Sequence, residues 1–352
     1  MRGFRIDAHG GPEALHWHDD LPDPKPRPGD ALVRVRACAL NHLDLWVRNG
    51  VPGHKYPLPL VPGSEIAGDL VAFNLTGVEP AEDWADWKVG DPVLLAPGLS
   101  CGLCPRCLAG EDPLCRQYGI LGETRDGGYA ELVAVPRRNL LPMPKGLSYA
   151  ESAALPLAFL TAWHMLTSRA RLQPFESVLV HAAGSGVSSA AIQIARLLKA
   201  RIIVATASTL EKLERARALG ATHTVNYMSE DFVRATKQAT EGKGADVVID
   251  HVGGEVFEKS VKALAWGGRI VLCGATAAPE ATINLRAVFF KSLSILGSTM
   301  GSLGELKSLL RYVESGELRP VIYRTFPLAD AAQAQEALAA RSQFGKIVLV
   351  AD

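Results

Sequence analysis

The stretch ESVLVHAAGSGVSSAAIQIARLLKA, residues 176–200, decides the fold of this 352-residue chain. Its first part, ESVLVHA (176–182), is a short apolar run of the kind that forms a strand buried on both faces. A turn with two glycines follows, and VSSAAIQIARLLKA (187–200) then has the pattern of a helix. A buried strand joined to a helix by a short turn begins a βαβ unit, so the stretch predicts a parallel sheet with helices packed on it.

The residues after position 200 repeat this alternation of buried strands and helices with short links between them. Such alternation indicates a doubly wound parallel sheet that is covered on both faces. The further strands are predicted at RIIVATA (201–207), THTVNY (222–227), ADVVIDHV (245–252) and GRIVLCG (268–274).

The first 150 residues have a different texture. They are rich in Pro and Gly, and their short alternating runs, ALVRVRA (31–37) and YAELVAV (129–135), indicate half-buried antiparallel strands. After about residue 300, two helical segments (302–316 and 328–341) precede a final strand, GKIVLV (345–350). The sequence therefore predicts an α/β protein with more than one domain, which suits a chain of this length.

Composition excludes several classes of function. Lys+Arg and Asp+Glu both number 37, so the net charge is zero and no global field attracts nucleic acid or an anionic membrane. The chain has no apolar run of 18 residues, and its first residues lack the apolar core of a signal peptide. We expect a soluble cytoplasmic protein that acts on a small molecule.

The glycine turn predicts a dinucleotide site. Gly184 and Gly186 match the first two glycines of a G-x-G-x-x-G fingerprint, and Ser189 stands at the third position. In such a turn the backbone approaches a pyrophosphate that rests on the helix N-terminus, so Ser185 and Val187 are also predicted to bind cofactor. The alternative is an ordinary turn between a strand and a helix.

The end of the second strand of this unit predicts which dinucleotide is bound. NAD sites usually carry an acid there that binds the ribose hydroxyls. In this chain residues 205–208 include no acid, and the first acid after them is Glu211. Ser208 can donate a hydrogen bond to a 2′-phosphate, and Lys212 can pair with its charge. The pattern favours NADP(H) over NAD(H), unless Lys212 is a solvated helix residue.

Four cysteines predict a metal site. Cys101, Cys104, Cys107 and Cys115 follow the spacing C-x2-C-x2-C-x7-C. Zinc prefers four thiolates in a tetrahedron, and four thiolates leave no open position for a substrate, so the predicted zinc is structural.

Other interpretations of the cysteine segment have less support. A zinc module that binds nucleic acid requires a basic patch, but Arg106 and Arg116 are offset by Glu111 and Asp112. An iron–sulfur cluster and four free thiols also stay open at this point.

With the cysteine segment and the glycine turn in this order, the whole chain resembles the medium-chain dehydrogenase/reductase superfamily, which includes zinc alcohol dehydrogenases and quinone oxidoreductases. The resemblance implies a GroES-like catalytic β domain (1–150), a Rossmann NAD(P)-binding domain (151–292) and a C-terminal segment (293–352) that returns to the catalytic domain. It also implies a homodimer or homotetramer. The segments that carry it include ALVRVRACALNHLDLWVRNG, PLVPGSEIAG, GGYAELVAVP and AALPLAFLTAW.

The alcohol dehydrogenase branch also has a catalytic zinc, and its ligand pattern fails here. The three positions that match the family's ligands carry Asn41, Ser64 and Leu157, of which the first two are weak ligands and the third is none. A rebuilt site stays open as an alternative. Its candidate ligands are Cys38, His42, Glu65 and His164.

The zinc-free pattern resembles the quinone oxidoreductase branch, which also has Asn at the position of Asn41. That resemblance implies that Asn41, Thr161, Tyr227 and the Gly274–Ala275 turn touch the cofactor, and that Asn41 and Asp44 lie near the substrate. Three aromatic side chains are candidates to line an apolar acceptor pocket, with plain packing as the alternative: Trp46, Tyr56 and Trp163.

We therefore expect an NAD(P)H-dependent oxidoreductase that transfers hydride between nicotinamide and a quinone, an enone or a carbonyl, with one structural zinc. Without a Lewis acid, an electron-poor acceptor is easier to reduce than an alcohol is to oxidise. Two alternatives remain: a zinc alcohol dehydrogenase with a rebuilt catalytic site, and an NADPH-binding protein without activity.

Overall fold

The computed structural model describes residues 1–76 and 87–351, and the chain packs as two compact units. None of the helices formed by these described residues combines the length and the apolar character that a membrane crossing requires. The units comprise Met1–Leu157, Ser302–Glu314 and Pro320–Asp352 for the first, and Ala158–Gly301 and Ser315–Arg319 for the second.

The first unit is built on an antiparallel sheet. Strands and helices are numbered along the chain. The strands are β1 (Gly3–Ile6), β2 (Leu15–His18), β3 (Asp30–Ala39), β4 (Glu65–Phe73), β5 (Pro92–Leu95), β6 (Gly98–Leu99), β7 (Gly119–Ile120), β8 (Leu132–Pro136), β9 (Leu140–Pro142), β16 (Ile322–Pro327) and β17 (Lys346–Val350). The helices are α1 (His42–Asn49), α2 (Pro105–Leu108), α3 (Tyr149–Ala153), α10 (Leu303–Glu314) and α11 (Ala331–Ala339).

Strand β3 is the centre of this sheet, whose order is β16-β17-β3-β4-β5-β9, with β8 also paired to β3. The predicted alternation is confirmed, since Val33 and Val35 are buried while Arg34 between them is exposed. Within the sheet β17 runs antiparallel to β3, and β3 antiparallel to β4. The end of β3 therefore lies beside the starts of β17 and β4.

The second unit contains the predicted parallel sheet. Its strands are β10 (Ser177–Val180), β11 (Ile202–Ala207), β12 (His223–Asn226), β13 (Ala245–Asp250), β14 (Leu264–Leu272) and β15 (Ser294–Gly297). Its helices are α4 (Ala158–His164), α5 (Gly186–Leu197), α6 (Leu210–Leu219), α7 (Phe232–Ala239), α8 (Gly254–Ala263) and α9 (Leu285–Phe290). The order is β12-β11-β10-β13-β14-β15, and all neighbours are parallel, which confirms the doubly wound sheet.

Several strands escaped the sequence analysis, among them the edge strands β15 and β16. Strand β15 is an edge strand of four residues that pairs with β14 and alternates between half-buried and exposed positions. Strand β16 carries mostly polar or half-exposed residues, IYRTFP, and pairs with β17. Edge strands have one partner and little buried surface, so they lack the apolar run that identifies a central strand.

Candidate cofactor, metal and substrate sites

The glycine turn lies at the carboxyl edge of the parallel sheet, between β10 and α5. Ser185 is the N-cap of α5, and its hydroxyl oxygen accepts a hydrogen bond of 3.0 Å from the backbone N–H of Ser188. Because β10 has β11 on one side and β13 on the other, the turn stands where the strand order reverses. Open α/β sheets bind their ligands at that point, and the helix N-terminus favours phosphate.

The residues predicted to select the dinucleotide lie at the same edge. Tyr227 follows β12, and its backbone N–H donates to the carbonyl oxygen of Ala207 at 3.2 Å, beside Ser208. Lys212 lies in the first turn of α6, where its backbone N–H donates to the Thr209 hydroxyl. Partial burial lowers the pKa of Lys212, while Glu211 opposes that shift. No acid stands directly after β11, and the first one that follows is Glu211, the second residue of α6.

Two more predicted cofactor contacts belong to the second unit. Thr161 is buried in α4, with its hydroxyl oxygen 3.9 Å from the sulfur of Met300. The Gly274–Ala275 turn follows β14, and the backbone N–H of Thr276 donates to the carbonyl oxygen of His251 at 3.1 Å. That bond fixes the turn beside the end of β13.

The sequence analysis missed a buried polar group beneath the glycine turn. His181 is fully surrounded, and its two ring nitrogens lie 3.3 Å from the Thr206 hydroxyl and 2.7 Å from the Ser260 hydroxyl. Burial, with a smaller effect of His251, lowers the pKa of His181 to about 3, so the ring is neutral. The signal in the sequence was the place of His181 directly after an apolar strand. An imidazole that is buried there needs hydrogen-bond partners for its ring nitrogens.

The four cysteines form one cluster in the first unit. Their sulfur atoms all lie within 4.8 Å of one another. The Cys101–Cys107 and Cys104–Cys107 sulfur separations are 3.8 and 3.5 Å, so none of these thiols forms a disulfide. A tetrahedron with zinc–sulfur bonds of about 2.3 Å has edges of about 3.8 Å, so the donor set fits zinc.

Hydrogen bonds within the segment divide the four thiols. The N–H groups of Leu103 and Cys104 lower the pKa of Cys101 to about 6, which favours the thiolate that zinc binds, whereas burial and the neighbouring thiols raise the pKa of Cys104 to about 11. The segment is also attached to α10, because the backbone N–H of Leu303 donates to the Asp112 carboxylate at 2.8 Å. A metal ion held here would stabilise the loop and its contact with α10.

The position of the first absent zinc ligand is part of a closed ionic cluster. The Lys346 ammonium lies 2.6 Å from a Glu65 carboxylate oxygen, 2.7 Å from the Asn41 side-chain oxygen and 2.6 Å from the Leu40 carbonyl oxygen. A lysine has three N–H donors, and all three have acceptors here. The Asn41 amide donates in turn to Glu65 at 3.2 Å and to the Ala39 carbonyl at 3.3 Å.

The other two ligand positions adjoin the same glutamate. Leu157 donates its backbone N–H to the second Glu65 oxygen at 2.7 Å. Ser64 is fully buried, and its hydroxyl has no partner among the residues the structure describes. Sequence reasoning missed Lys346. The signal was its place at the start of an apolar strand, because a lysine that is buried there needs an acidic partner.

Asp44 lies one helical turn from Asn41, at the start of α1. One of its carboxylate oxygens accepts from the backbone N–H of Asn41 at 2.8 Å and from the Tyr129 hydroxyl at 3.2 Å. Burial raises the pKa of Asp44 to about 6, against the lowering effects of the Asn41 N–H and of Lys346. Its predicted place near a substrate stays a prediction, and its visible role is to cap α1.

The three alternative zinc ligands in the first unit, Cys38, His42 and Glu65, do not converge on one site. Cys38 is buried within β3, and burial raises the pKa of its thiol. His42 packs edge-on against Trp46, Glu65 is paired with Lys346, and the remaining candidate, His164, ends α4. Across residues 1–76 and 87–351, the four cysteines are the group of three or more His, Cys, Asp or Glu side chains whose ligand atoms converge.

The aromatic residues proposed for an acceptor pocket have ordinary packing partners. Tyr56 lies against the rings of His9 and His54, with centroid separations of 5.2 and 4.4 Å. Trp163 is buried in α4, and Trp46 is half-buried. Their part in an acceptor pocket stays a prediction.

Comparison with known proteins supports both halves of this description. The alcohol dehydrogenase GroES-like domain family matches residues 27–145, and the zinc-binding dehydrogenase family matches residues 186–315. A quinone oxidoreductase of Pseudomonas aeruginosa is 34% identical over 99% of this chain and 98% of its own. A zinc-type alcohol dehydrogenase-like protein of Schizosaccharomyces pombe is 32% identical over 93% and 92%.

A solved structure agrees with these relatives. A crystal structure named as an NAD-dependent alcohol dehydrogenase has 50% sequence identity and a TM-score of 0.93, and the match covers 99% of each chain. The glycine turn, the cysteine cluster and matches over nearly the whole length point the same way. The chain belongs to the medium-chain dehydrogenase/reductase superfamily, as an oxidoreductase of the alcohol dehydrogenase and quinone oxidoreductase type.

Proposed function

We propose that this chain is an NADPH-dependent reductase of quinones or α,β-unsaturated carbonyls, with one structural zinc and no catalytic metal ion. The observation that carries the proposal is the ionic cluster of Lys346, Glu65 and Asn41. Its ammonium and amide donors are engaged within the protein, at and beside Asn41, the position that matches the family's first zinc ligand. Neutral Ser64 and Leu157 complete a poor ligand set.

The chemistry suits such a site. The nicotinamide supplies the hydride when it is bound, and an electron-poor acceptor needs no Lewis acid to receive it. The work left to the protein is to hold cofactor and acceptor in reacting geometry. Asn41 donates to an acceptor oxygen only if it releases Glu65 or the Ala39 carbonyl, so we assign it to orientation rather than to proton transfer.

The preference for NADPH rests on Ser208, Lys212 and the missing acid at the end of β11. One observation favours NADH: the solved structure at 50% identity carries the name NAD-dependent alcohol dehydrogenase. That name also favours the second candidate function, a zinc alcohol dehydrogenase with a rebuilt catalytic site. The two candidates differ in zinc content.

The test is the zinc content of the purified chain, followed by turnover. We expect about one zinc per chain and NADPH oxidation by quinones or enones that survives mild chelation. Two zincs per chain, with activity lost when the more labile one is removed, identify the alcohol dehydrogenase. NADPH binding without turnover on quinones, enones, aldehydes or alcohols identifies a non-catalytic protein.

The proposal includes a homodimer or homotetramer in the cytoplasm, without nucleic acid or membrane partners. The support is an apolar surface on the second unit, where Leu285, Phe289 and Phe290 are exposed on α9, the helix that precedes the edge strand β15 in the chain. A second copy of the chain that covers this surface would also pair the free edge. Light scattering on the eluted protein measures the assembly, and a monomer contradicts this part.

A further inference from the structure

Two serine hydroxyls of the glycine turn meet one ring nitrogen of His251. The Nε2 atom of His251 lies 3.0 Å from the Ser185 hydroxyl and 3.0 Å from the Ser188 hydroxyl. His251 directly follows β13, and Ser185 stands between the two glycines of the turn. His251 therefore links the end of β13 to the N-terminus of α5.

The proton of Ser188 is committed. Its hydroxyl lies 2.5 Å from the carbonyl oxygen of His181, and a carbonyl oxygen can only accept. Ser188 must therefore donate to that oxygen. It can only accept from His251, so the Nε2 atom of His251 carries a proton.

The proton of Ser185 follows from this assignment. The Ser185 oxygen already accepts from the backbone N–H of Ser188, and it faces a nitrogen of His251 that is itself a donor. Ser185 therefore cannot donate to His251. The described residues offer its proton no other acceptor within hydrogen-bond distance, and the side chain is half-buried rather than fully solvated.

We propose that His251 is a positioning residue that turns the Ser185 hydroxyl proton toward a pyrophosphate oxygen of the bound dinucleotide. The proton then points away from the two donors behind it, at the helix N-terminus where a phosphate is expected. A hydroxyl fixed in this direction donates a charge-assisted bond without first leaving another partner. The inference rests on the proposed dinucleotide binding, but it needs neither turnover nor a choice between NADPH and NADH.

The test compares dissociation constants of variants, measured by cofactor fluorescence or calorimetry. Ser185→Ala should weaken NADPH and ADP-ribose by roughly tenfold, because one hydrogen bond to a charged group is lost. His251→Phe should weaken both by about three- to tenfold, since the Ser185 proton loses its direction. His251→Gln keeps an N–H donor near the position of Nε2 and should recover most of the affinity.

Two controls separate positioning from damage to the fold. Adenosine 2′-monophosphate has no pyrophosphate, so its affinity should be the same in all variants. Ser260→Ala removes a histidine–serine contact of similar kind, at the His181 ring beneath the turn, without touching the Ser185 hydroxyl, and should leave the affinity for ADP-ribose within twofold. In a double-mutant cycle, His251→Phe should cost little once Ser185→Ala is present.

Several results would overturn the inference. If wild-type protein binds NADPH and both Ser185→Ala and His251→Phe bind it within twofold of wild type, the positioning role is wrong. Equal weakening of adenosine 2′-monophosphate, or a His251→Gln variant as weak as His251→Phe, points to general disruption and also rejects it. If wild-type protein binds no dinucleotide at all, the proposed function fails together with the inference.

Discussion

The Lys346 ammonium lies 2.6 Å from the Glu65 carboxylate, and the two side chains are 5% and 0% exposed. An unpaired charge in such a place is strongly disfavoured, whereas this pair satisfies all three ammonium donors. The sheet creates the contact, because β17 and β4 flank β3 and begin at the same edge. The buried ammonium of Lys346 therefore lies beside Asn41, which stands at the position of the family's first zinc ligand.

Removing the charge of Lys346 should destabilise the first unit. Lys346→Met leaves the buried Glu65 carboxylate without its cation, which we expect to cost about 3–5 kcal/mol of unfolding free energy. The double variant Lys346→Met with Glu65→Gln should recover most of that loss, and Lys346→Arg serves as the charge-keeping control. Urea unfolding measures all three. Equal losses in the single and the double variant would mean that packing, not charge, is the cause.

Asp44 should make stability depend on pH. Its pKa is about 6 in the folded chain, above the value of about 3.9 expected when unfolded, so the folded state binds more protons between these values. Stability from this group is complete below about pH 4 and is lost as pH rises through 6. Between pH 5 and 8, Asp44→Asn should therefore gain about 1.4 kcal/mol relative to wild type.

The Asp44 experiment compares urea unfolding of both proteins at pH 5 and pH 8. Asp20→Asn, at an exposed carboxylate, is the control and should show the same pH dependence as wild type. The prediction fails if Asp44→Asn follows the wild-type pH dependence, since the carboxylate would then be ionised at both pH values. Lys346, Glu65 and Tyr129 act on the same carboxyl and are unchanged in this comparison.

The cysteine cluster should control metal content but not chemistry. Cys104→Ser removes one of four thiolates, so we expect zinc to fall from about one per chain to near zero and the thermal midpoint to drop by several degrees. Cys273→Ser lies outside the cluster and should keep the metal. Metal analysis and thermal unfolding give the readout. Turnover by chains that stay folded should persist, and its complete loss in folded protein would contradict a structural role.

Lys212 should distinguish the two dinucleotides. Lys212→Ala should weaken NADPH by roughly tenfold and NADH by less than twofold, because only NADPH carries the 2′-phosphate. Lys243→Ala changes an exposed lysine outside the predicted site and should alter neither dissociation constant. Equal weakening of both cofactors would show that the assignment of Lys212 is wrong, and an unchanged NADPH affinity would favour an NADH enzyme.

Much of the fold follows from local patterns. The apolar runs after residue 176 predict strands β10 to β14, and ALVRVRA predicts the alternating strand β3, because burial on one or two faces imposes its own periodicity. Strands β15 and β16 were missed because an edge strand needs little apolar surface. The cysteine spacing predicted a cluster that the structure assembles, since ligands only a few residues apart can converge within one loop.

The substrate side was harder to predict. The sequence pattern identified Asn41, Ser64 and Leu157 as poor zinc ligands, but it did not show which residues the buried Lys346 contacts. That lysine contacts Asn41 across 305 positions of sequence. Likewise, His251 reaches Ser185 across 66 positions.

By itself the sequence determined the alternation of strands and helices, the glycine turn and the four thiolates, because each of these is encoded in residues close together in the chain. Only the tertiary structure decided which buried charges and hydroxyls meet. Those contacts depend on which strands lie side by side and in what register, and the burial of the whole core sets that arrangement.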